Sequence, residues 1–132
     1  NQLRYLKRFI KERNKIANYY KKCLKNTSIK FQKILSENYS SYHLFVIQFD
    51  IKNLKIKYKK IFEVFKKKGY FVNLHYKALH LNPIYKKMGF TSGQFPNSEH
   101  YSESAISIPI FVGLKNKEIN KIVKILKSII EF

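Results

Sequence analysis

The chain has 132 residues, of which 45% are hydrophobic, and its formal net charge of +19 corresponds to a pI near 10.0. This length suffices for one domain with a hydrophobic core and is too short for two ordinary domains. The single cysteine, Cys23, excludes an internal disulfide and a cysteine-based zinc site, and no apolar run reaches the ~18 to 20 residues of a membrane span. A protein of the reducing cytoplasm is therefore expected.

The basic charge is spread along the chain. Clustered lysines would indicate a nucleic-acid or anionic membrane surface, because they neutralise phosphates and release counterions. Here lysine occurs in almost every segment beside an excess of Ile, Asn, Tyr and Phe, a profile that a coding bias explains as well as a binding face does. No nucleic-acid-binding motif accompanies the charge. A noncatalytic basic module that binds nucleic acid or anionic surfaces is thus the weaker alternative.

The first 26 residues predict a long amphipathic helix. No Gly or Pro interrupts them, and apolar side chains recur on one face at helical spacing. These apolar positions are Leu3, Leu6, Ile10, Ala17, Tyr20 and Leu24.

Two strands are predicted in the middle of the chain. Residues 29–35 can form at most a short edge strand, whereas the nearly continuous apolar run 42–50 predicts a strand that is covered on one face and partly on the other. A helix with its apolar face starting at Leu54 is expected next, capped by Asp50 or Asn53.

Gly69 ends that helix, since glycine readily adopts the left-handed conformation. Residues 70–76 then alternate between two faces and predict a strand. A helical turn at 84–88 and another from Asn97 interrupt the loop that follows. Residues 107–111 predict a further strand, which Pro109 confines to an edge or an end.

The last helix has an apolar face made of Ile119, Ile122, Val123, Leu126 and Ile130. Helices and about three strands mixed in this order predict an α+β fold, a two-layer sandwich of a sheet and helices.

The histidines do not predict a metal site. His75 and His80 are five positions apart across a loop, and no carboxylate or cysteine is placed to complete a ligand set. His43 is interpreted as a structural residue within an apolar strand, and His100 as a surface residue. Because the chain has no nucleophile motif, Gly-rich phosphate loop or carboxylate pair, no catalytic residue is predicted.

A succession of short motifs carries a family resemblance, although none is specific by itself. In order, these are Gln2-Leu3, Ser41-Tyr42-His43-Leu44, His75-Tyr76, His80, Pro83, Tyr85, Met88-Gly89-Phe90, Gly93, Phe95-Pro96-Asn97, Glu99, Ala105-Ile106-Ser107-Ile108-Pro109-Ile110-Phe111 and Gly113-Leu114. Their ordered succession covers essentially the whole chain and resembles the C-terminal part of the DegT-type nucleotide-sugar aminotransferases.

The resemblance implies the small C-terminal domain of the fold-type I PLP aminotransferases. Residues 1–132 would form this single domain, beginning in the helix that joins it to a large PLP-binding domain. The Schiff-base lysine and phosphate-binding groups lie in that large domain, and no lysine here matches the family's lysine motif. The chain is therefore expected to bind no PLP alone, and to be a fragment, a truncated product or one piece of a longer protein.

In the intact enzyme, the resemblance implies a nucleotide-sugar substrate, an amino donor that is expected to be glutamate, and a homodimer. It places His75 and Tyr76 at the mouth of the active-site cleft and makes His80 and Tyr85 further substrate-binding candidates. The aromatic face and polar edge of imidazole and phenol suit a sugar nucleotide. A structural role for His75, as a buried strand residue, is an equally weighted alternative.

Because of three departures from the family's pattern, an inactive remnant of such an enzyme is a further alternative. Ala78 and Val112 stand where relatives usually carry proline, and Lys115 stands where they cap the last helix with threonine. Relaxed selection and ordinary divergence both produce such changes.

Overall fold

The computed structural model describes residues 1–130 of the chain. The helices are α1 (Leu6–Cys23), α2 (Tyr58–Lys67), α3 (Pro83–Lys87), α4 (Pro96–Ser104) and α5 (Asn116–Ile129). The strands are β1 (Lys30–Phe31), β2 (Phe45–Gln48) and β3 (Ala105–Ile108), and short 3₁₀ turns cover Gln2–Tyr5, Ile51–Asn53 and Leu79–Leu81.

The three strands form an antiparallel sheet in the order β1, β2, β3. Residues directly opposite each other in such a sheet share a face. Ile47 lies between Phe31 and Ile106 on the face that enters the core, and Gln48 lies between Lys30 and Ala105 on the opposite face. We call this second face the open face of the sheet.

The core lies between the sheet and the helices α1, α2 and α5. The Tyr20 ring of α1 stacks on Phe45 of β2 with centroids 5.4 Å apart, and its hydroxyl donates to the Pro109 carbonyl at 3.0 Å. Leu126 of α5 and Phe65 of α2 are fully buried against the same cluster. One layer of helices on one sheet is the α+β two-layer arrangement predicted from the sequence.

The predicted helical pattern holds at both ends of the chain. In α5, the expected positions Ile119, Ile122, Val123, Leu126 and the following Ile130 are buried. In α1, the core positions are confined to the second half, where Ala17 and Tyr20 are buried, while Leu3 is 80% exposed.

The predicted strand at residues 70–76 is wrong. Only Asn73 pairs with the sheet, exchanging both backbone hydrogen bonds with Ser107 at 3.2 and 2.7 Å. Pairing does not continue towards Phe71 because Pro109, the residue that would lie opposite it, has no N–H to donate. Beside the bridge, the Asn73 side chain accepts from the Leu74 N–H at 2.9 Å. The strand predicted at residues 107–111 lies earlier, at Ala105–Ile108, and Pro109 follows its end.

The helix predicted from Leu54 starts later, at Tyr58. Asp50 does cap, but it caps the 3₁₀ turn by accepting the Lys52 N–H at 3.1 Å. Between this turn and α2, Leu54 forms an antiparallel bridge with Ile130, the residue that follows α5. Across residues 1–130, no helix is both long and apolar enough to cross a membrane.

Candidate functional site

The four substrate-binding candidates fall into two neighbouring groups that α4 holds in place. His75 and Tyr76 lie beside the open face of the sheet, whereas His80 lies in the 3₁₀ turn Leu79–Leu81 and Tyr85 in α3. Helix α4 contacts both groups, because its Tyr101 hydroxyl donates to the His75 carbonyl at 3.1 Å and its Glu99 carboxylate accepts from the His80 ring.

His75 is half-buried and tied to β3. Its Nδ1 lies 2.8 Å from the Ser107 hydroxyl, which is itself buried. The neighbouring Tyr76 ring meets the imidazole edge-on at 5.1 Å and is 75% exposed, and the peptide bond between the two residues is cis. The arrangement orients the imidazole through its Nδ1 edge and presents the Tyr76 phenol to solvent.

His80 is buried, with 7% of its surface exposed, and its Nε2 lies 2.9 Å from Glu99 Oε1. Because an ionised carboxylate only accepts hydrogen bonds, this ring nitrogen carries the proton. Glu99 also accepts from the Ser92 hydroxyl at 2.8 Å and from the Gly93 and Phe95 N–H groups at 2.8 and 3.4 Å. We call these five residues the Glu99 cluster.

The electrostatics of the Glu99 cluster favour the charged carboxylate. Hydrogen bonds from Ser92, then His80, and then the backbone of Gly93 and Phe95 lower the pKa of Glu99 from 4.5 to about 2. Hydrogen bonds to the Glu99 carboxylate therefore hold the loop of residues 91–95 against α4.

Aromatic contacts extend this cluster towards Tyr85. The His80 ring packs on Phe95 at 4.8 Å, Phe95 lies 6.2 Å from Phe90, and Phe90 lies 6.3 Å from Tyr85. His80 is thus enclosed, whereas Tyr85 is half-buried at the outer end of the row.

A cavity of about 560 Å³ opens on the open face of the sheet. Its lining combines basic, amide, hydroxyl and apolar side chains, namely Lys30, Phe31, Gln32, Ser40, His43, Leu44, Val46, Gln48, His75 and Tyr101. His43, interpreted from the sequence as a structural strand residue, is exposed and precedes β2. We call this space the sheet cavity.

Several residues that shape these sites were not predicted from the sequence. Lys30, Gln48, Ser107 and Tyr101 were not singled out, because each becomes significant only through strand register or through a contact with His75. One signal was available: Ser107 is the only hydroxyl in the apolar run from Ala105 to Ile110.

The lining of the sheet cavity offers neither a carboxylate pair nor a metal site. No carboxylate is among the cavity residues, and within residues 1–130 no group of three His, Cys, Asp or Glu side chains is placed to hold a metal ion. PLP does not fit the cavity either. Lys30 could form an imine, but a carboxylate facing the pyridinium nitrogen is missing from the lining.

The chain is similar to aminotransferases over nearly all of its length. The sequence model of the DegT/DnrJ/EryC1/StrS aminotransferase family matches residues 1–127. The uncharacterized protein MJ1066 of Methanocaldococcus jannaschii is 30% identical over 98% of this chain and 34% of its own.

Solved structures agree. Spr1654 from Streptococcus pneumoniae, assigned as a sugar aminotransferase, matches with a TM-score of 0.86 at 26% identity, over 96% of this chain and 32% of its own. PseC from Helicobacter pylori, an aminotransferase involved in pseudoaminic acid biosynthesis, matches with a TM-score of 0.84 at 25% identity, over 97% and 34% respectively. The chain spans about a third of the length of these relatives.

Proposed function

Because the chain belongs to the DegT/DnrJ/EryC1/StrS aminotransferase family, we propose that it serves as the C-terminal domain of a PLP-dependent nucleotide-sugar aminotransferase. The observation that carries the proposal is the likeness in fold and sequence to one third of Spr1654 and of PseC. Both are named for transfer of an amino group in sugar metabolism, and Spr1654 has also been solved in its PLP form.

In the proposed enzyme, the cofactor is held by a separate large domain. PLP stabilises negative charge on the carbon that exchanges its amino group, and that chemistry needs a lysine, an acidic partner and a phosphate site together. These groups are not assembled in the sheet cavity. We therefore assign the chain alone no PLP and no activity. For the intact enzyme we propose a homodimer, as the resemblance to the family implies.

The contribution of this chain is to bind the substrate. His75 offers a ring whose Nδ1 is oriented by Ser107, and Tyr76 offers an exposed phenol beside it. Tyr85 would act through its hydroxyl at the other end of the same loop, while His80, enclosed by Glu99 and Phe95, would hold that loop in place. The rings of His75, Tyr76 and Tyr85 can stack on a base or sugar and hydrogen-bond a hydroxyl or phosphate.

For the substrate we propose the sugar nucleotide that is aminated to UDP-4-amino-4,6-dideoxy-N-acetyl-altrosamine on the way to pseudaminic acid, with glutamate as amino donor. The likeness to PseC at 25% identity supports this choice, because PseC is named for that biosynthesis. The assignments of the family and of the fold do not depend on this choice of substrate.

The test joins residues 1–132 to a family cofactor domain and measures amine transfer from glutamate to the 4-keto sugar nucleotide. We expect His75→Ala to raise KM for the sugar nucleotide and to leave the cofactor spectrum and Tm nearly unchanged, because it removes binding that substrate and transition state share. Tyr76→Phe should have the smaller effect, about 0.5 to 1.5 kcal/mol for one hydroxyl.

His100→Ala is the matched control, since His100 is exposed on α4 and touches neither group. An unchanged KM with a much lower Tm for His75→Ala would make His75 a structural residue. A joined protein that binds PLP but transfers no amine to any nucleotide sugar would contradict the proposed function.

A further inference from the structure

We propose that the exposed side of α5 and the segments beside it bind single-stranded nucleic acid. Three adjoining cavities form this surface, which we call the α5 groove. Its recognition residues are Lys68, Lys117, Lys121, Lys124, Phe71 and Phe111. None of them is among the four substrate-binding candidates, so the inference does not depend on the proposed function.

The fold gathers lysines that are spread along the sequence. Lys68 follows α2, yet it lines a cavity of about 410 Å³ together with Lys121 and Lys124 of α5. Lys121 and Lys124 also line a neighbouring cavity of about 250 Å³ with Lys117. A lysine from the end of one helix thus lies beside three that recur at helical spacing on another. This clustering is the electrostatic feature that a phosphate-binding surface requires.

One carboxylate compensates the four lysines of the α5 groove only in part. Glu118 accepts a hydrogen bond from Lys121 Nζ at 2.8 Å and another from the Tyr70 hydroxyl at 2.6 Å. Within residues 1–130, the other three lysines have no carboxylate within ion-pair distance. An excess of positive charge therefore remains along the helix, and phosphates that bind there release counterions.

Two exposed phenylalanines adjoin these lysines. Phe71 is 78% exposed and Phe111 is 55% exposed, and both line a third cavity of about 350 Å³. Tyr70 lines this cavity and the larger basic one, so the two spaces adjoin. Single strands are bound by this combination, because bases stack on aromatic rings while lysines hold the phosphates. An acidic peptide would pair with the lysines but would not require the flat aromatic faces.

The basic part of the α5 groove lies away from the substrate-binding candidates. Helix α5 packs on the core side of the sheet, where Ile119, Ile122 and Leu126 are buried, and its lysines are exposed on the other side. His75 and Tyr76 lie beside the open face of the sheet. The core therefore separates the groove lysines from these two residues.

The experiment measures binding of a fluorescent ten-nucleotide oligoadenylate to the 132-residue chain by anisotropy over a series of salt concentrations. Adenine is not part of the proposed sugar nucleotide, which keeps the two proposals separate. A groove variant, Lys68→Gln with Lys124→Gln, is compared with Lys25→Gln with Lys86→Gln. Both variants lose two exposed lysines, and Lys25 and Lys86 lie outside the three cavities.

We expect the groove variant to show a weaker salt dependence. Loss of two phosphate contacts should lower the slope of log K against log salt by about 1.4, at about 0.7 for each phosphate of a single strand. The control variant should keep the slope of the unmodified chain.

A second pair of variants tests the aromatic part. Phe71→Leu should weaken binding at least about fivefold with an unchanged salt slope, since it removes stacking and leaves the charge. Tyr39→Leu changes another exposed aromatic residue, outside the groove, and should leave binding unchanged.

Amide chemical shifts of the unmodified chain locate the ligand without any substitution. Oligoadenylate should shift Phe71 and Lys121, and it should leave Val46 and Gln48 on the open face of the sheet unshifted.

Equal losses in the two lysine variants would show that only the net charge of the chain attracts the oligonucleotide, and would overturn the site. Shifts confined to the open face of the sheet would do the same. Equal binding of the double-stranded form, or unchanged binding by Phe71→Leu, would contradict recognition of a single strand. Displacement of the oligonucleotide by an equal concentration of ten-residue polyglutamate would assign the groove to an acidic protein instead.

Discussion

The two halves of this molecule are held together by different forces. The α1, sheet and α5 region is a continuous apolar cluster in which Leu126, Ile119 and Ile122 are fully buried. The segment from Tyr70 to Ser104 exposes many of its large apolar side chains, including Phe71 and Met88, and relies on hydrogen bonds to Glu99 and Tyr101.

The apolar cluster therefore provides most of the stability, whereas the loop segment positions the candidate side chains. Removal of apolar surface from water contributes roughly 25 cal/mol per Å², so the apolar cluster dominates the free energy of folding. The loop segment buries little and is ordered by a few directional contacts, which place side chains such as His75 and His80. Substitutions in the two regions should therefore change different observables.

The largest effect is expected in the apolar cluster. Leu126→Ala removes a fully buried side chain from α5 and leaves a cavity between helix and sheet. We expect a loss of about 2 to 5 kcal/mol in the free energy of unfolding, measured by urea denaturation. Lys124→Ala, on the exposed side of the same helix, should stay within about 0.5 kcal/mol of the original chain. Equal losses would mean that α5 does not form the core.

A tyrosine-to-phenylalanine pair compares the two regions directly. Tyr20→Phe leaves the Pro109 carbonyl unpaired in the core, where burial already raises the pKa of the Tyr20 phenol, so the expected cost is about 1 to 3 kcal/mol. Tyr101→Phe frees the half-exposed His75 carbonyl, and about 0.5 to 1.5 kcal/mol is expected. A larger loss for Tyr101→Phe would reverse the comparison.

Glu99→Gln should loosen the loop without unfolding the core. We expect faster hydrogen exchange of the Gly93 and Phe95 amides and unchanged protection of α5, because only the loop depends on this carboxylate. Glu103→Gln, one turn further along α4 and exposed, is the control. Protection lost equally in α5 would show that the loop and core unfold as one unit.

The Glu99 carboxylate also makes the stability of the folded chain depend on pH. The pKa of Glu99 is lowered from 4.5 to about 2 in the folded chain, so folding favours the charged form. The stabilisation is complete above pH 4.5 and is lost as the pH falls towards 2. Titration of the Gly93 amide shift should show this midpoint, and Glu99→Gln should remove it. A midpoint at the ordinary value of 4.5 would contradict the cluster.

The smallest effect is expected at the start of the chain. Leu3 and Leu6 are exposed and Ile10 is partly buried, so the first turns of the chain present an apolar patch to solvent. We predict concentration-dependent self-association by sedimentation, reduced by Leu3→Gln with Leu6→Gln. The fold should be unaffected. A monomer at high concentration in moderate salt would remove the patch as a contact surface.

Periodicity within the sequence was sufficient for the elements that fold around the core. The α1 and α5 helices, the end of α2 before Gly69 and the strand limit at Pro109 follow from spacing and from backbone chemistry. Each signal is local, since the residues that define it are neighbours along one helix or strand. The resemblance to the aminotransferases rested on short motifs in a fixed order. The match of the family's sequence model to residues 1–127 confirmed the family.

The strand expected at residues 70–76 shows where local signals fail. Alternation is necessary for a half-buried strand, but a strand also needs a partner, and here only Asn73 finds one at Ser107. The sequence alone therefore determined the apolar pattern, the family and the α+β class. Only the tertiary structure decided that Glu99 closes on His80 and that Lys30, Gln48 and His75 meet around one cavity. Those contacts join residues far apart in the chain, and their geometry depends on sheet register and hydrogen bonding rather than on any local spacing.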